Sequence, residues 1–366
     1  MARIYLDDAA SAPLLPQVRS LLAALEWANP SSPHAEGRAA RAALDRARDR
    51  AAAALGVPAL DLFFCASGTQ AVNLALLGAG RRLPRERSIV TWTNEHQAVL
   101  GAVRQLELEG RSVHLLEPDS SGRADPDQIP SSAGLISLGL ANNEVGSLQP
   151  VSEVGERARH LGARFHLDAC QGPRWLAPDL EACDLASFSG SKLGALGGLV
   201  YAANHGRLEP LWAGGPQELG RVPGREDLAA ASALALALER CSGERAPRAV
   251  EAAAQAARLQ GALARAGGRM TGSKIRLPNL ASACFPGRRG EDMVMALDLA
   301  GLAVSSGSAC ASGSLDPSHV LLAMGFSLAD AGSSLRLSVG WETSDEEVSV
   351  AESVIAQVLG GGDERG

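Results

Sequence analysis

Residues 135–170 read LISLGLANNEVGSLQPVSEVGERARHLGARFHLDAC and contain the pattern that decides the fold. This segment begins with an apolar run at 135–141 and ends with a second one at 164–170, and both runs predict buried β-strands. Between them, residues 151–161 have the spacing of apolar side chains that is typical of a helix packed by one face. A strand, a helix and a second strand in this order predict a right-handed crossover between parallel strands.

The same alternation continues on the N-terminal and C-terminal sides of this segment. Further strands are predicted at 88–93, 112–117 and 185–189, and a helix is predicted at 97–109. An Ala-rich helix at about 38–55 precedes them. Repeated alternation of this kind predicts an α/β fold, with a mostly parallel sheet that is covered by helices on both faces.

The C-terminal third of the chain has a pattern of its own. After a second Ala-rich helix at about 247–266, strand-like and helical segments alternate again, which indicates a smaller α/β domain. The polar stretch ERCSGERAPR (239–248) marks the boundary. We therefore predict a large domain of residues 13–245 and a small domain made of residues 1–12 and 246–366.

Composition excludes several classes of function. The 366-residue chain has a formal net charge of -7, whereas nucleic-acid binding usually shows basic clustering. No apolar run is long enough to span a membrane, and the first residues, MARIYLDDAASAP, lack the regions of a signal peptide, which predicts a cytoplasmic protein. The 6 cysteines form no CxxC pair and have no spacing with histidine that predicts a metal site.

Lysine is rare in this chain, which narrows the search for a reactive amine. Of the 34 Lys and Arg side chains, only Lys192 and Lys274 are lysines, and arginine cannot lose its proton to form a Schiff base. Lys192 follows the strand at 185–189, and Asp168 lies near the end of the strand at 164–170. An aldehyde cofactor needs both an amine and a carboxylate against its ring nitrogen. On spacing alone, both could instead be surface residues.

An anion site is predicted at residues 66–71, which read ASGTQA and join a strand to a helix. The small residues there, Gly68 among them, let main-chain N–H groups approach an anion, which the helix N-terminus attracts. The alternative is an ordinary helix cap by Ser67 or Thr69.

Residues 305–314 read SSGSACASGS and place one cysteine among Ser, Gly and Ala only. Such a segment cannot bury much apolar surface, so a mobile loop with an accessible thiol is expected. The composition favours Cys310 as a nucleophile over a structural cysteine.

With these segments in place, the chain resembles the cysteine desulfurases of the class V aminotransferase group. The resemblance extends from residue 4 to about residue 348. It rests on eight motifs in the order of that family: IYLDDAASAP, NPSSPHAEGRAAR, NEHQAVL, LANNEVGSLQP, FHLDACQG, SGSK, SSGSACASGSLDPSHVLLAMG and SLRLSVG.

The resemblance implies a pyridoxal-phosphate cofactor and the residues that hold it. Lys192 would bind the cofactor as a Schiff base, and Asp168 would pair with its ring nitrogen. His96 would stack on the ring and help to move protons, although a lone His at a strand end is more often a polar surface residue. Further contacts would come from Gln171 to the phenolic oxygen, and from Gly68, Thr69 and Ser189 to the phosphate.

The resemblance also implies a substrate, a reaction and an assembly. Asn143 and Arg336 would hold the carboxylate of L-cysteine, although a structural salt bridge is the alternative for Arg336. Cys310, in the segment at 305–318, would take the sulfur as a persulfide, and the substrate would become alanine. Cys310 would then deliver the sulfur to an acceptor protein. The resemblance implies a large domain with a seven-stranded sheet. It also implies a homodimer in which one contact to the phosphate comes from the second subunit.

Two residues depart from the family pattern. Ser191 stands where the family usually has a His that contacts the phosphate, and Arg225 stands where it commonly has a Thr that reaches the phosphate in the partner subunit. We hypothesise that the charge and planar fork of Arg225 compensate for the missing imidazole. The alternative is an Arg225 that points to solvent. Because the tail, GGGDERG, is short, we do not expect this chain to dock to a scaffold protein in the way that a longer C-terminus would allow.

Two other functions stay open on the sequence. An aminotransferase, or a lyase for another sulfur or selenium amino acid such as selenocysteine, would share Lys192 and Asp168 but would not need a thiol at Cys310. A degenerate homologue that acts as a partner protein is supported only by Ser191 and Arg225.

Overall fold

The structure is a computed structural model that describes residues 3–25, 28–307 and 317–360. Its centre is a sheet of seven strands in the order β2-β8-β7-β6-β5-β3-β4. These strands are β2 (Leu62–Cys65), β3 (Ser88–Trp92), β4 (Val113–Leu116), β5 (Ala133–Gly139), β6 (Arg164–Asp168), β7 (Leu185–Ser189) and β8 (Gly198–Ala202). All neighbours are parallel except that β8 pairs antiparallel with both β2 and β7. The predicted mostly parallel sheet is confirmed.

Helices precede, connect and follow these strands. They are α1 (Pro16–Ala24), α2 (Ala35–Leu55), α3 (Gly68–Gly80), α4 (Gln97–Leu108), α5 (Val151–Leu161) and α6 (Leu228–Arg265). One cluster of buried side chains contains Trp92 and Phe165, and a second contains Phe63 and Leu135, so the sheet is packed on both faces.

The crossover predicted from residues 135–170 is present as β5, α5 and β6. Helix α5 buries Val151, Val154 and Ala158, which lie on one face at helical spacing. It ends at Gly162, whose φ of 60° is the left-handed conformation that glycine adopts easily. Gly139 then pairs with Asp168, so the carboxyl ends of β5 and β6 lie side by side.

Strand β8 and helix α6 are among the elements that differ from the sequence predictions. Strand β8 was not predicted, because its short run GLVYA follows a Gly-rich segment and lacks alternation. Helix α6 is a single helix of 38 residues, whereas only its second half was predicted. Its polar stretch stays helical because Glu244 forms ion pairs with Arg240 and Arg248, each four residues away. The predicted domain boundary at 245/246 lies inside this helix, and the division into two domains stays a prediction.

The C-terminal part of the chain forms smaller sheets. These contain β9 (Arg269–Met270), β10 (Leu280–Cys284) and β12 (Ser334–Ser338), which are antiparallel, and β1 (Ile4–Tyr5) paired in parallel with β11 (Leu302–Ala303). The helices here are α7 (Gly290–Leu299), α8 (His319–Ala323), α9 (Leu328–Ala331) and α10 (Asp345–Leu359). Through β1, the N-terminus of the chain joins this C-terminal part. Within the described ranges, no helix is both long enough and apolar enough to cross a membrane.

Candidate active site

A cleft of about 200 Å³ lies where β5, β6 and β7 end and where α3 and α4 begin. This is the edge of a parallel sheet at which α/β proteins bind ligands. Nine residues predicted for the site line the cleft: Gly68, Thr69, His96, Asn143, Asp168, Gln171, Ser189, Ser191 and Lys192. The fold therefore brings together side chains that are up to 124 positions apart in the chain, counted from Gly68 to Lys192.

Asp168 ends β6, and Lys192 follows the end of the neighbouring strand β7. Lys192 closes a short helical turn, Gly190–Lys192, directly after β7. Its Nζ donates a hydrogen bond to the main-chain carbonyl of Ala10. Asp168 is the last residue of β6 and is only 6% exposed, and its Oδ1 accepts a hydrogen bond of 3.0 Å from the Cys170 main-chain N–H. An amine and a buried carboxylate therefore share one cleft.

Gln171 is held by the N-terminal segment of the chain. Its Nε2 donates a hydrogen bond of 2.6 Å to the carbonyl of Ala9. The Ala9 N–H in turn donates to Ser338 Oγ on β12 at 2.8 Å. Together with the contact between Lys192 and Ala10, this makes residues 9 and 10 a common support for two side chains of the cleft.

His96 caps the N-terminus of α4. Its Nδ1 accepts a hydrogen bond of 3.1 Å from the Ala98 main-chain N–H, so the proton of the neutral ring belongs on Nε2. Burial lowers the pKa of His96, although the nearby charge of Asp168 acts in the opposite direction. The imidazole is therefore neutral at pH 7, with a protonated Nε2 available as a donor.

The start of α3 lies where the sequence predicts an anion site. A Cβ added to Gly68 would lie 2.7 Å from Ser189 Cβ and 2.9 Å from Cys170 Sγ, so glycine is required for this close approach to β7. Gly68 and Thr69, at the start of α3, line the same cleft as Ser189 and Ser191, and a helix N-terminus attracts anions through its main-chain N–H groups. Ser67 also caps α3, with its Oγ accepting from the Gln70 N–H at 3.2 Å, as the alternative interpretation had it.

Arg336 does not line the cleft but touches its wall from β12. It is 1% exposed, and its Nη2 pairs with Asp7 Oδ1 at 2.8 Å, which is the salt bridge given as the alternative for this residue. Its Nη1 donates to the main-chain carbonyl of Asn143 at 2.9 Å. Its Nε is buried and has no hydrogen-bond partner among the described residues.

Two predicted residues remain, Arg225 and Cys310. Arg225 is exposed and lies in a separate groove that Gln70 and Trp212 also line. Cys310 lies outside the described residues. In the part of the chain that the structure describes, no group of three or more His, Cys, Asp or Glu side chains could hold a metal ion.

Sequence reasoning missed three ionisable residues at the site. Glu95 and Cys170 line the cleft, and Asp8 is buried against Arg174, with 3.0 Å between Oδ1 and Nη1. Burial raises the pKa of Asp8 to about 6. Glu95 and Cys170 lie next to the predicted residues His96 and Gln171, whereas the sequence signal for Asp8 was only its place in the motif IYLDDAASAP.

Glu95 places a second carboxyl group beside Asp168. It is 7% exposed, and its Oε1 accepts a hydrogen bond of 2.8 Å from the Gly139 N–H. Burial, together with the negative charge of Asp168, raises the pKa of Glu95 to about 8. Glu95 therefore carries a proton at pH 7, which limits the negative charge of the cleft.

We expect Glu95→Gln to stabilise the protein increasingly as the pH rises from 4.5 to 8. Because the pKa of Glu95 is raised on folding, its favourable contribution is complete below the unfolded value of 4.5 and is lost as the pH rises through about 8. Each pH unit in this window corresponds to about 1.4 kcal/mol, so the stability difference between the two proteins grows steadily from pH 5 to pH 8. Urea unfolding of both proteins at pH 5 and pH 8 measures it, and an equal difference at both pH values would contradict the protonated state.

Comparisons with known proteins place the chain in a family. Residues 4–350 match the sequence model of the family described as aminotransferase class V. A putative cysteine desulfurase, IscS 1, of Bacillus subtilis is 37% identical over 98% of this chain and 99% of its own length. The cysteine desulfurase NifS of Azotobacter vinelandii is 33% identical over 95% of this chain and 90% of its length. A solved structure of a NifS-like protein superposes with a TM-score of 0.90 at 29% identity, covering 98% of this chain and 99% of that protein.

Proposed function

Because this chain belongs to the class V aminotransferase family, we propose that it is a cysteine desulfurase that transfers the sulfur of L-cysteine to Cys310. The observation that carries the proposal is the cleft in which Lys192, Asp168, His96 and Gln171 meet an anion cradle. Relatives that align over nearly the whole chain and are named cysteine desulfurases support the same reaction.

The cleft fits pyridoxal phosphate. Lys192 would hold the cofactor aldehyde, Asp168 its ring nitrogen and Gln171 its phenolic oxygen. The phosphate would lie at the cradle of Gly68, Thr69, Ser189 and Ser191, where the absence of a Cβ at Gly68 lets the start of α3 approach Ser189 closely. When bound, this cofactor supplies an electron sink for a negative charge that develops at Cα of an amino acid. The protonated Nε2 of His96 would donate a hydrogen bond within the cleft and move a proton there.

The substrate carboxylate would lie between Asn143 and Arg336. Asn143 lines the cleft, and Arg336 is bonded to its main-chain carbonyl. The unpartnered Nε of Arg336 and the partial exposure of Asp7 support a role in which the guanidinium binds a carboxylate as well as Asp7. Lys192 Nζ would take the Cα proton of L-cysteine.

Sulfur transfer needs a thiolate, which Cys310 would supply. Its sulfur attacks the sulfur of L-cysteine, an S–S bond forms, and the C–S bond of the substrate breaks. The electron pair of the broken bond stays with the substrate carbon, which takes up a proton and becomes alanine. One L-cysteine and one Cys310 thiol thus give one alanine and one persulfide, which an acceptor protein or a thiol reductant removes. The five described cysteines are free, which is in keeping with a reducing compartment such as the cytoplasm.

The proposal is tested by incubating the purified protein with pyridoxal phosphate, L-cysteine and a thiol reductant. Sulfide and alanine are measured together, and equal amounts of both support the desulfurase. Pyruvate with sulfide would identify a lyase instead, and a keto acid without sulfide would identify an aminotransferase. Alanine from selenocysteine but not from cysteine would identify a selenocysteine lyase. If the protein binds the cofactor but forms no product, a degenerate homologue that acts as a partner protein would be favoured.

We also propose that Arg225 acts across a homodimer. In a single chain Arg225 is exposed and outside the cleft, so it does not reach the cradle of its own subunit. Ser191, which stands at the cradle, is bonded through its hydroxyl to Ser189 Oγ at 3.0 Å and carries no positive charge. A guanidinium from a second subunit would supply that charge to a phosphate.

We expect Arg225→Ala to weaken binding of pyridoxal phosphate by at least about tenfold, which corresponds to 1.4 kcal/mol. Titration of the apoprotein with the cofactor, followed by its absorbance, measures the change. Arg207→Ala is the matched control, because Arg207 is also exposed and should leave the affinity unchanged. Equal affinities of the wild type and Arg225→Ala would show that Arg225 has no such role.

A further inference from the structure

The segment Asp7–Ala10 contacts three side chains that the proposed function uses. They are Arg336, which pairs with Asp7, Gln171, which donates to the carbonyl of Ala9, and Lys192, which donates to the carbonyl of Ala10. One short segment therefore touches the side chains proposed for the substrate carboxylate and for two groups of the cofactor. Its fourth residue, Asp8, has no role in that proposal.

The main chain of this segment is folded into a turn and bonded to β12. The Ala10 N–H donates to the carbonyl of Asp7 at 3.0 Å, which closes the turn. The Asp8 N–H donates to the carbonyl of Ser338 at 3.3 Å, and the Ala9 N–H donates to Ser338 Oγ at 2.8 Å. These bonds use the N–H groups of the turn, and the carbonyls of its last two residues are the groups that support the cleft.

The side chain of Asp8 joins this turn to Arg174. Both residues are buried, with Asp8 3% and Arg174 2% exposed, and 3.0 Å separates Oδ1 from Nη1. The Arg174 guanidinium also lies 5.8 Å from the ring of Trp175 and 5.0 Å from that of Trp341. Contacts with two aromatic rings restrain the guanidinium, so Asp8 is bonded to a fixed partner.

The bond between Asp8 and Arg174 joins two charged groups at neutral pH. Burial raises the pKa of Asp8 to about 6, while the charges of Arg174 and Lys192 act against this shift. The carboxyl group is therefore mostly ionised at pH 7. A hydrogen bond between ionised groups is stronger than one between neutral groups, which suits Asp8 as an anchor of the turn.

We propose that Asp8 is a positioning residue: it holds the turn whose carbonyls orient Gln171 and Lys192 for attachment of the cofactor. This inference rests on the cofactor site of the proposed function. Without the Asp8 carboxylate the turn would lose its bond to Arg174, and its carbonyls would hold the two side chains less firmly.

Attachment of the cofactor is the step that depends most on this support. Lys192 Nζ, as the neutral amine, forms a bond to the aldehyde carbon, and the aldehyde oxygen leaves as water with the two amine protons. A misplacement of about 1 Å can slow a reaction by a hundredfold. Capture of the phosphate depends on other residues, such as Thr69 and Ser189, and should not change.

The test is the rate at which pyridoxal phosphate attaches to the full-length apoprotein. The rise in visible absorbance is followed at several cofactor concentrations, which gives a limiting rate and a half-saturating concentration. Asp8→Ala is expected to lower the limiting rate at least about tenfold, with the half-saturating concentration within twofold of the wild type. Asp8→Asn keeps an oxygen for Arg174 and should attach the cofactor faster than Asp8→Ala.

Asp61→Ala is the matched control, because it also removes a buried carboxylate. Asp61 is 4% exposed, accepts a hydrogen bond of 3.2 Å from the Asn204 N–H and does not line the cleft. This variant should attach the cofactor at the wild-type rate. If urea unfolding shows that Asp8→Ala does not fold, Ser338→Ala takes its place, since it removes the oxygen that holds the Ala9 N–H and should also slow attachment.

A wild-type limiting rate in Asp8→Ala, or in Ser338→Ala where that variant replaces it, would overturn the inference and leave the proposed function intact. Equal losses in Asp8→Ala and Asp61→Ala would also overturn it, since they would indicate a general structural defect. So would an Asp8→Asn variant as slow as Asp8→Ala. Borohydride reduction and peptide masses identify the attached lysine, and a wild type without cofactor on Lys192 would refute the proposed site itself.

Discussion

Replacing Lys192 with Ala is expected to lower alanine formation from L-cysteine by at least about a thousandfold, because the variant loses both the amine that holds the cofactor and the base for the Cα proton. The variant should also lose the visible absorbance of the lysine-bound cofactor. The reason lies in the geometry, since Lys192 follows β7 directly and shares the cleft with Asp168. Absorbance spectra and initial rates of alanine formation measure the two effects.

Lys274→Ala is the control for this prediction. Lys274 is the only other lysine in the sequence, is exposed and does not line the cleft. Its replacement should leave both the spectrum and the rate unchanged. If Lys192→Ala kept its absorbance and its rate while Lys274→Ala lost them, the assignment of the cofactor lysine would be wrong.

Replacing Cys310 with Ser is expected to abolish sulfide release, again by at least about a thousandfold, while cofactor binding stays as in the wild type. The hydroxyl of serine is a far weaker nucleophile than a thiolate at neutral pH. The spectral change on adding L-cysteine should persist, because the residues that hold cofactor and substrate are unchanged. Sulfide assays and cofactor titrations separate these two expectations.

Cys170→Ala is the matched control, because Cys170 is the one described cysteine that lines the cleft. Burial and the charge of Asp168 raise the pKa of this thiol well above its ordinary value, so Cys170 is a poor thiolate source. The variant should keep its activity within a few fold. Loss of sulfide release in Cys170→Ala, with activity retained in Cys310→Ser, would move the sulfur acceptor to Cys170.

The sequence was sufficient for the residues that follow directly on strands. Asp168 is the last residue of β6, and Lys192 is the last residue of the turn that follows β7. The local alternation of strands and helices was enough to place both residues at one edge of the sheet. The place of the proposed anion cradle was predictable for the same reason, since it joins β2 to α3. The order of the motifs then suggested roles for residues such as His96 and Arg336, whose local sequence pattern allowed more than one interpretation.

The contacts that could not be predicted join distant parts of the chain. The carbonyls of Ala9 and Ala10 support Gln171 and Lys192 across more than 160 positions, and neither alanine carries a chemical signal. Glu144 meets Ser318 across 174 positions, which no local periodicity reveals. The raised pKa of Glu95 depends on burial, a property of the assembled fold.

The central claim is that one sulfur atom moves from L-cysteine to Cys310. It is tested most directly by mixing the holoenzyme with one equivalent of L-cysteine without reductant and measuring the mass of the Cys310 peptide and the alanine released. The account predicts a peptide that is heavier by one sulfur atom, with one alanine for each persulfide. Alanine without any sulfur on Cys310, or a Cys310→Ser variant that still releases sulfide at the wild-type rate, would contradict it.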